Sequence, residues 1–453
     1  MLLTDLPPEL LEEIFLQCDP CDVGALAQCC SYLHTIIYAP EKPSASMPFW
    51  RALYLQQPLD DPRLSLTQLG LPRAISDDLW KTRLQRLARA QAVLEGRATV
   101  RLDELESILE SLLDMITFVV PLRTHAALDV SSSLILATLL LRRSTLLDEP
   151  LPPVASQRTR QLLACIHTHF GLTSADHDPA RRVRARAYVY DLRKYRDETH
   201  YGPFLEDDTV DWEMMRELHE VMSMHFSFPE VEAGADTFAL YPMCLPYTQL
   251  VVEEEGEDEE ERQEEKRGGE EDKHETTKEK DDWAGVAGLW QIAFCYCDQR
   301  ELIHYNSTAT TPDGPLDASL FEDPDFVEIC RTLQFDLDVS HIEPDPQHPK
   351  RPKIHFEATD EDMGITIRGV VSVTPDERIR WRFVCGDPPH PIWSCEAVQV
   401  GGVRSKYGIL GVWTTIFHDD DGPVGPFWLR RYSEEISLQN RQGSLTALHT
   451  FSN

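Results

Sequence analysis

The cysteines are the first residues of this 453-residue chain whose spacing could support chemistry, namely zinc binding. Cys18 and Cys21 are followed by a second pair of cysteines at positions 29–30. Four cysteines are enough to form a zinc ligand set. Pro20 fixes the turn within the first pair. The second pair lies in a helical pattern, where adjacent residues point about 100° apart. We therefore expect no zinc site here, and buried thiols rather than disulfides among the eleven cysteines.

Histidines and acidic clusters are the other candidate ligands. His167 and His169 could pair on a strand, but the pattern around them is helical, so their side chains diverge and we expect surface histidines. Residues 360–362 and 419–422 could attract calcium, yet neither has the spacing of an EF-hand loop. Phosphate-binding, nucleophile-elbow, metalloprotease and dinucleotide motifs are missing from the sequence. The sequence predicts no catalytic residue, no cofactor and no metal site.

A run of arginines marks one further candidate surface. The helical pattern over residues 181–195 carries four of them on its polar side, at Arg181, Arg182, Arg184 and Arg186. They could meet an acidic partner or the acidic segment of the same chain. A solvated helix face is the simpler interpretation, and it is the one we expect.

The N-terminal segment has the pattern of two short amphipathic helices. The first opens with Pro7 and Pro8, which a first helical turn tolerates because its N–H groups have no intrahelical partner. It places Leu10, Leu11, Ile14 and Phe15 on one face. The second begins with Asp19 as its N-cap and carries apolar residues at three- and four-residue spacing. Two helices of this length expose more apolar surface than they can bury against each other, so another domain or protein must cover the rest.

This segment resembles the F-box, whose pattern opens with Leu-Pro-x-Glu-Leu-Leu-x-x-Ile-Phe, continues with Asp-Pro and closes with Leu- or Phe-Trp-Arg. Residues 6–15 match the opening almost position for position, and residues 49–51 stand where the closing element belongs. The middle departs from the pattern at residues 28–32, and a Pro-rich insert follows at residues 39–48. The resemblance implies docking onto Skp1 and recruitment of a cullin-RING ubiquitin ligase. It assigns the Skp1 contact to Leu6, Pro7, Pro8, Leu10, Leu11, Ile14, Phe15, Val23, Leu26 and Trp50.

Composition limits the other classes of function. A hydrophobic content of 42% and nine tryptophans indicate a folded core, and the length suits two or three domains. A formal charge of −34 argues against nucleic acid or an anionic membrane as the main partner. The longest apolar run, residues 134–141, is far shorter than the roughly 20 residues of a membrane span. The N-terminus has no basic region of a secretory signal, so we expect a cytoplasmic or nuclear protein.

The pattern along the chain predicts an α+β multidomain protein. Residues 1–57 form the F-box and residues 58–235 a helical domain. The helices are expected at residues 77–94, 100–120, 131–142, 157–170, 181–195 and 208–226. Residues 253–282 hold 17 acidic and 6 basic residues and almost no apolar ones, which predicts a disordered acidic loop or linker.

Short runs of β-branched and aromatic residues separated by turn residues predict an antiparallel β-barrel or sandwich over residues 283–435. Residues 436–453 are expected to form a C-terminal tail. Strands are expected at residues 288–296, 365–373, 379–384, 393–400, 409–416 and 426–432, with residues 236–252 as candidate first strands. Gly288-x-Trp290 resembles the opening of lipocalin-like barrels, which follow the F-box in some F-box-only receptors. The C-terminal half also looks like the C-terminal domain of many fungal F-box proteins.

Together these features predict a non-catalytic substrate-recognition subunit of a Skp1–cullin–F-box ubiquitin ligase. The F-box would bind Skp1, and the β domain would bind a protein substrate that the sequence does not name. Two alternatives remain open: a scaffold that binds Skp1 without a cullin, and a small-ligand-binding barrel with an attached F-box.

Overall fold

The computed structural model describes residues 3–39, 46–76, 79–101, 103–123, 130–226, 245–252, 282–360, 364–387 and 390–432. Within them the chain forms eleven α-helices and eight β-strands. The helices are α1 (Pro8–Leu16), α2 (Pro20–Cys29), α3 (Ser31–Tyr38), α4 (Met47–Leu55), α5 (Leu79–Leu94), α6 (Leu105–Thr117), α7 (Ser132–Arg143), α8 (Gln157–Phe170), α9 (Pro179–Val189), α10 (Trp212–Phe226) and α11 (Gln299–Asn306). The strands are β1 (Gly288–Cys297), β2 (Glu328–Glu343), β3 (Lys353–Asp360), β4 (Ile365–Val373), β5 (Ile379–Asp387), β6 (His390–Val400), β7 (Gly408–Thr415) and β8 (Gly425–Arg431). The predicted α+β class is confirmed.

The chain divides into two compact units. The first comprises Met1–Thr67, Leu71–Pro121 and Leu128–Ile166, and the second comprises Gln68–Gly70, Leu122–Ala127 and His167–Asn453. Helices α9 and α10 therefore belong to the same unit as the strands, whereas the sequence pattern groups them with the other helices. Helix α10 packs against β7 and β8 within that unit. None of the described helices has both the length and the apolar character that a membrane crossing requires.

Local sequence signals begin the helices of the first unit. Pro8 occupies the first turn of α1, and the Asp19 carboxylate caps α2 by accepting a hydrogen bond from the Cys21 N–H at 2.8 Å. Asp60 holds the start of α7 in place: it accepts hydrogen bonds from the Ser131 hydroxyl and, at 2.9 Å, from the Ser132 N–H. A buried carboxylate at a helix N-terminus is favourable because free N–H groups face it there.

Strands β1 to β8 form a closed barrel in the second unit. Each strand pairs antiparallel with the next, and β8 pairs with β1, so the sheet has no free edge. Closure removes the unpaired N–H and C=O groups that an open sheet would leave at its edges. The structure thus decides between the two predicted architectures in favour of the barrel.

Aromatic side chains fill the middle of this barrel. Trp381 is fully buried, and its ring centroid lies 5.4 Å from that of Trp290 and 5.2 Å from that of Phe356. Phe383 meets Phe427 edge to face, with 5.6 Å between their centroids. Such packing is that of a hydrophobic core.

Of the candidate first strands at residues 236–252, the structure describes residues 245–252, and these form no strand of the barrel. Residues 236–244 and 253–281 lie outside the described residues. Leu245–Thr248 forms a short 3₁₀ helix, and Val251 makes a single parallel bridge with Leu122. Because β8 and β1 complete the barrel by pairing with each other, residues 245–252 have no barrel edge to join.

Candidate functional site

Helix α1 carries two apolar stripes with different environments. Leu11 and Phe15 are fully buried, whereas Leu10 is 52% exposed and Ile14 is 40% exposed. Residues four apart lie on the same side of a helix, so each pair forms one stripe, and the two stripes are rotated by about 100°. The single apolar face expected from the sequence is therefore a core stripe and a surface stripe. Of these two stripes, the surface stripe is the one that a partner can reach.

The other residues assigned to the Skp1 contact divide in the same way. Val23 is fully buried and Trp50 is 2% exposed, with its ring centroid 5.5 Å from that of Tyr38. Pro7 and Pro8 are exposed, and Leu6 and Leu26 are half-buried. The structure thus places Leu11, Phe15, Val23 and Trp50 in the core of the first unit. Leu6, Pro7, Pro8, Leu10, Ile14 and Leu26 keep accessible surface.

Carboxylates flank the surface stripe of α1. Glu9, Glu12 and Glu13 are all exposed. Partial burial, followed by the neighbouring charges of Glu9 and Glu13, raises the pKa of Glu12 above its usual value. A partner that covers Leu10 and Ile14 would therefore bring an apolar patch bordered by basic or hydrogen-bonding groups.

A cavity of about 460 Å³ lies in the second unit, between the loop that follows β7 and the turn that follows α9. The rings of Tyr201 and His418 stack there, with 3.6 Å between centroids and 6° between planes. Both residues have positive φ angles, 57° and 51°, a conformation that costs energy in residues other than glycine. Phe417, next to His418, is 69% exposed. Strained residues beside a cavity of this size are typical of a binding site.

Some polar groups that line this cavity already form hydrogen bonds within the protein. The Arg193 guanidinium is held by the Asp191 carboxylate at 2.8 and 2.9 Å and donates to the carbonyls of Pro312 and Gly314. The Thr415 hydroxyl is buried without a hydrogen-bond partner among the described residues. Burial lowers the pKa of His418, which favours its neutral form. The His418 imidazole, whose Nδ1 atom lies 3.3 Å from the Thr414 hydroxyl, is therefore a neutral group that lines the cavity.

The arginine-bearing helix is tied to the interior of the second unit. Glu328, whose side chain is 1% exposed, accepts hydrogen bonds from Arg186 at 3.1 Å, Tyr190 at 2.5 Å and His225 at 2.8 Å. Burial alone would raise the pKa of Glu328, but the hydrogen bonds and the charges of His225 and Arg186 lower it. Arg181 likewise pairs with the buried carboxylate of Asp176 at 2.6 Å. The solvated face expected from the sequence is wrong for these two arginines.

His167 and His169 lie on α8, as predicted, but they are not surface residues. His167 is 5% exposed and contacts Asp176 at 2.9 Å, and His169 is fully buried and contacts Gln68 at 3.0 Å. Their side chains have different partners, which agrees with the divergence expected on a helix. The sequence pattern did not reveal their burial, because it depends on which elements pack over α8.

One group of side chains that could bind a metal ion was not predicted from the sequence. His341, Glu343 and His355 lie together on β2 and β3, with their ligand atoms all within 4.8 Å of one another. They come from neighbouring strands and become neighbours only through strand pairing. A His-x-Glu pattern at strand spacing, followed by a histidine on the next strand, is the signal that could have found them.

Comparison with known proteins supports the N-terminal assignment. The family model of the F-box domain matches residues 3–43. Neither a search of curated proteins nor one of solved structures finds a match. The resemblance of the barrel to lipocalin-like domains is thus not confirmed. F-box domains in general bind Skp1, and F-box proteins are generally non-catalytic adaptors of SCF-type ubiquitin ligases. Helices α1 to α3 lie within the residues that the family model matches, and this match shows that the chain contains an F-box domain at residues 3–43.

Proposed function

We propose that this chain is the substrate-recognition subunit of a Skp1–cullin–F-box ubiquitin ligase. It binds Skp1 through the surface stripe of α1 and a protein substrate through the barrel-containing unit. The observation that carries the proposal is the exposure of Leu10 and Ile14 within a matched F-box domain. The proposed location, cytoplasm or nucleus, rests on the sequence alone.

The surface stripe offers enough apolar area to matter for an interface. Full burial of a leucine or isoleucine is worth roughly 1.5–3 kcal/mol, so two side chains about half exposed can contribute roughly 1 kcal/mol each. Each 1.4 kcal/mol is a tenfold change in affinity. Leu6 and Leu26 are half-buried and keep some accessible surface of their own. The acidic residues around the stripe favour a partner with complementary charge.

The role of such a subunit is positioning rather than chemistry. By holding a substrate near the enzyme that carries ubiquitin, it raises the effective concentration of the acceptor lysine. The cavity at Tyr201 and His418 is the best-supported site for the substrate contact. It combines strained backbone with a stacked aromatic pair, and the exposed Phe417, which precedes His418 in the chain, is available as an apolar anchor beside it.

Affinity purification with mass spectrometry tests the proposal. The wild-type chain is expected to recover Skp1 together with a cullin and, when the proteasome is inhibited, a substrate. A Phe417→Ser variant should keep Skp1 and the cullin but lose the substrate. Recovery of Skp1 without a cullin would instead support the scaffold alternative, and recovery of neither would contradict the proposal.

A further inference from the structure

A β-bulge turns two ligand-type side chains of β2 out of the barrel. Phe335, Leu337 and Val339 alternate as buried residues along the strand, so a regular strand would also point position 341 inward. The register shifts between Val339 and His341, which inserts one extra residue. His341 is consequently exposed on the outer face of the barrel. Bulges commonly re-aim side chains at functional sites.

The register then brings three ligand groups together. His341 lies directly opposite His355 on β3, and Glu343 lies opposite Lys353. The two imidazole rings stack with 4.0 Å between centroids, and the Nε2 atom of His355 lies 2.9 Å from a carboxylate oxygen of Glu343. All three ligand atoms lie within 4.8 Å of one another.

We propose that His341, Glu343 and His355 bind one divalent transition-metal ion, with Zn²⁺ as the best-fitting ion and water as its fourth ligand. Two imidazoles and a carboxylate form a ligand set that zinc accepts with three protein ligands. Zinc–ligand bonds of about 2.0–2.1 Å require ligand atoms roughly 3.4 Å apart in a tetrahedron. Ligand atoms that are up to 4.8 Å apart would close by up to about 1.4 Å, and the 2.9 Å contact between His355 and Glu343 would open slightly; the exposed position of His341 allows this adjustment.

Lys353 competes with the metal ion for the carboxylate of Glu343. Its ammonium group contacts the second carboxylate oxygen of Glu343 at 2.9 Å, while the first oxygen faces His355. Its positive charge opposes a cation at the site, since like charges at this distance repel. Removing that charge should tighten metal binding, whereas a group of side chains with only a structural role would show no such response.

Calorimetric titration of the full chain with Zn²⁺ alone tests the proposal. We expect a saturable site with one ion per chain in wild type. In His341→Asn the ion should bind at least about tenfold more weakly, because replacing even a residue that only hydrogen-bonds to a metal ligand lowers metal affinity by about 10–100-fold. Lys353→Gln should bind several-fold more tightly. The matched control is His304→Asn, on the exposed side of α11, which should bind like wild type.

A second readout separates metal loss from unfolding. Co²⁺ in place of Zn²⁺ should give the intense visible absorption of a four-coordinate site in wild type and not in His341→Asn. The metal-free melting temperatures of both chains should agree, because His341 is exposed. No zinc binding by wild type, or equal binding by wild type and His341→Asn, would overturn the proposal.

Discussion

Leu10 and Leu11 are adjacent in α1 but belong to different surfaces: Leu11 is fully buried in its own unit, and Leu10 is 52% exposed. The first stabilises the F-box, and the second is available to a partner. A double replacement of both leucines would therefore confound a loss of folding with a loss of binding. Single replacements keep the two effects apart.

Leu11→Ala should destabilise the first unit, and Leu10→Ala should not. Removing a buried leucine side chain costs about 2–5 kcal/mol of the free energy of unfolding, whereas a surface replacement stays within about 0.5 kcal/mol. In thermal unfolding, we expect Leu11→Ala to lower the melting temperature of that unit by roughly 5–15 °C. Equal melting temperatures for the two variants would show that the two stripes are not distinct.

The contact between His225 and Glu328 should make stability depend on pH. Burial alone would lower the pKa of His225, but the hydrogen bond to Glu328 and the charge of that carboxylate together raise it above its usual 6.5. A raised pKa gives stabilisation that is complete below pH 6.5 and is lost as the pH rises through the folded-state value.

The measurement compares the melting temperatures of wild type and His225→Gln between about pH 6 and about pH 9. The advantage of wild type should be largest near pH 6 and should shrink toward pH 9. The control, His304→Gln on exposed α11, should follow wild type throughout. An advantage that grows with pH would contradict the assignment.

A fragment that begins at Trp283 should fail to fold stably. Within the described part of the chain, the buried carboxylate of Glu328 accepts hydrogen bonds from Arg186, Tyr190 and His225, and such a fragment lacks all of these residues. The fragment also lacks α10, so the surfaces of β7 and β8 that this helix covers would be exposed to water. Starting at Asp236 would restore neither the three residues nor α10. A soluble fragment with cooperative unfolding and wild-type barrel stability would show that α9 and α10 are dispensable.

Local signals made part of the fold predictable. The predicted helix over residues 157–170 and strand over residues 365–373 have the bounds that the structure shows, because strong periodicity and turn residues mark them. Strands β2 and β3 were not predicted, although Phe335, Leu337 and Val339 alternate with polar residues. Their outward positions are charged, which obscured the alternation.

Features that depend on long-range packing could not be predicted in this way. The resemblance identified the residues of α1 but could not separate Leu10 from Leu11, because burial depends on how α1 packs against α3 and α4. The contact of the buried His169 with Gln68 joins residues 101 positions apart, and the approach of His341 to His355 depends on a bulge and a strand register. Sequence periodicity contains neither kind of information.

Titration of purified Skp1 with the wild-type chain and with a Leu10→Ser, Ile14→Ser variant tests the central claim most directly. The matched control is Ile135→Ser, Leu139→Ser, since these residues of α7 are also four apart and are 49% and 43% exposed. We predict that the α1 variant binds Skp1 at least about tenfold more weakly while its melting temperature stays near that of wild type. The α7 variant should bind like wild type. A dissociation constant for the α1 variant within about twofold of the wild-type value would contradict the account.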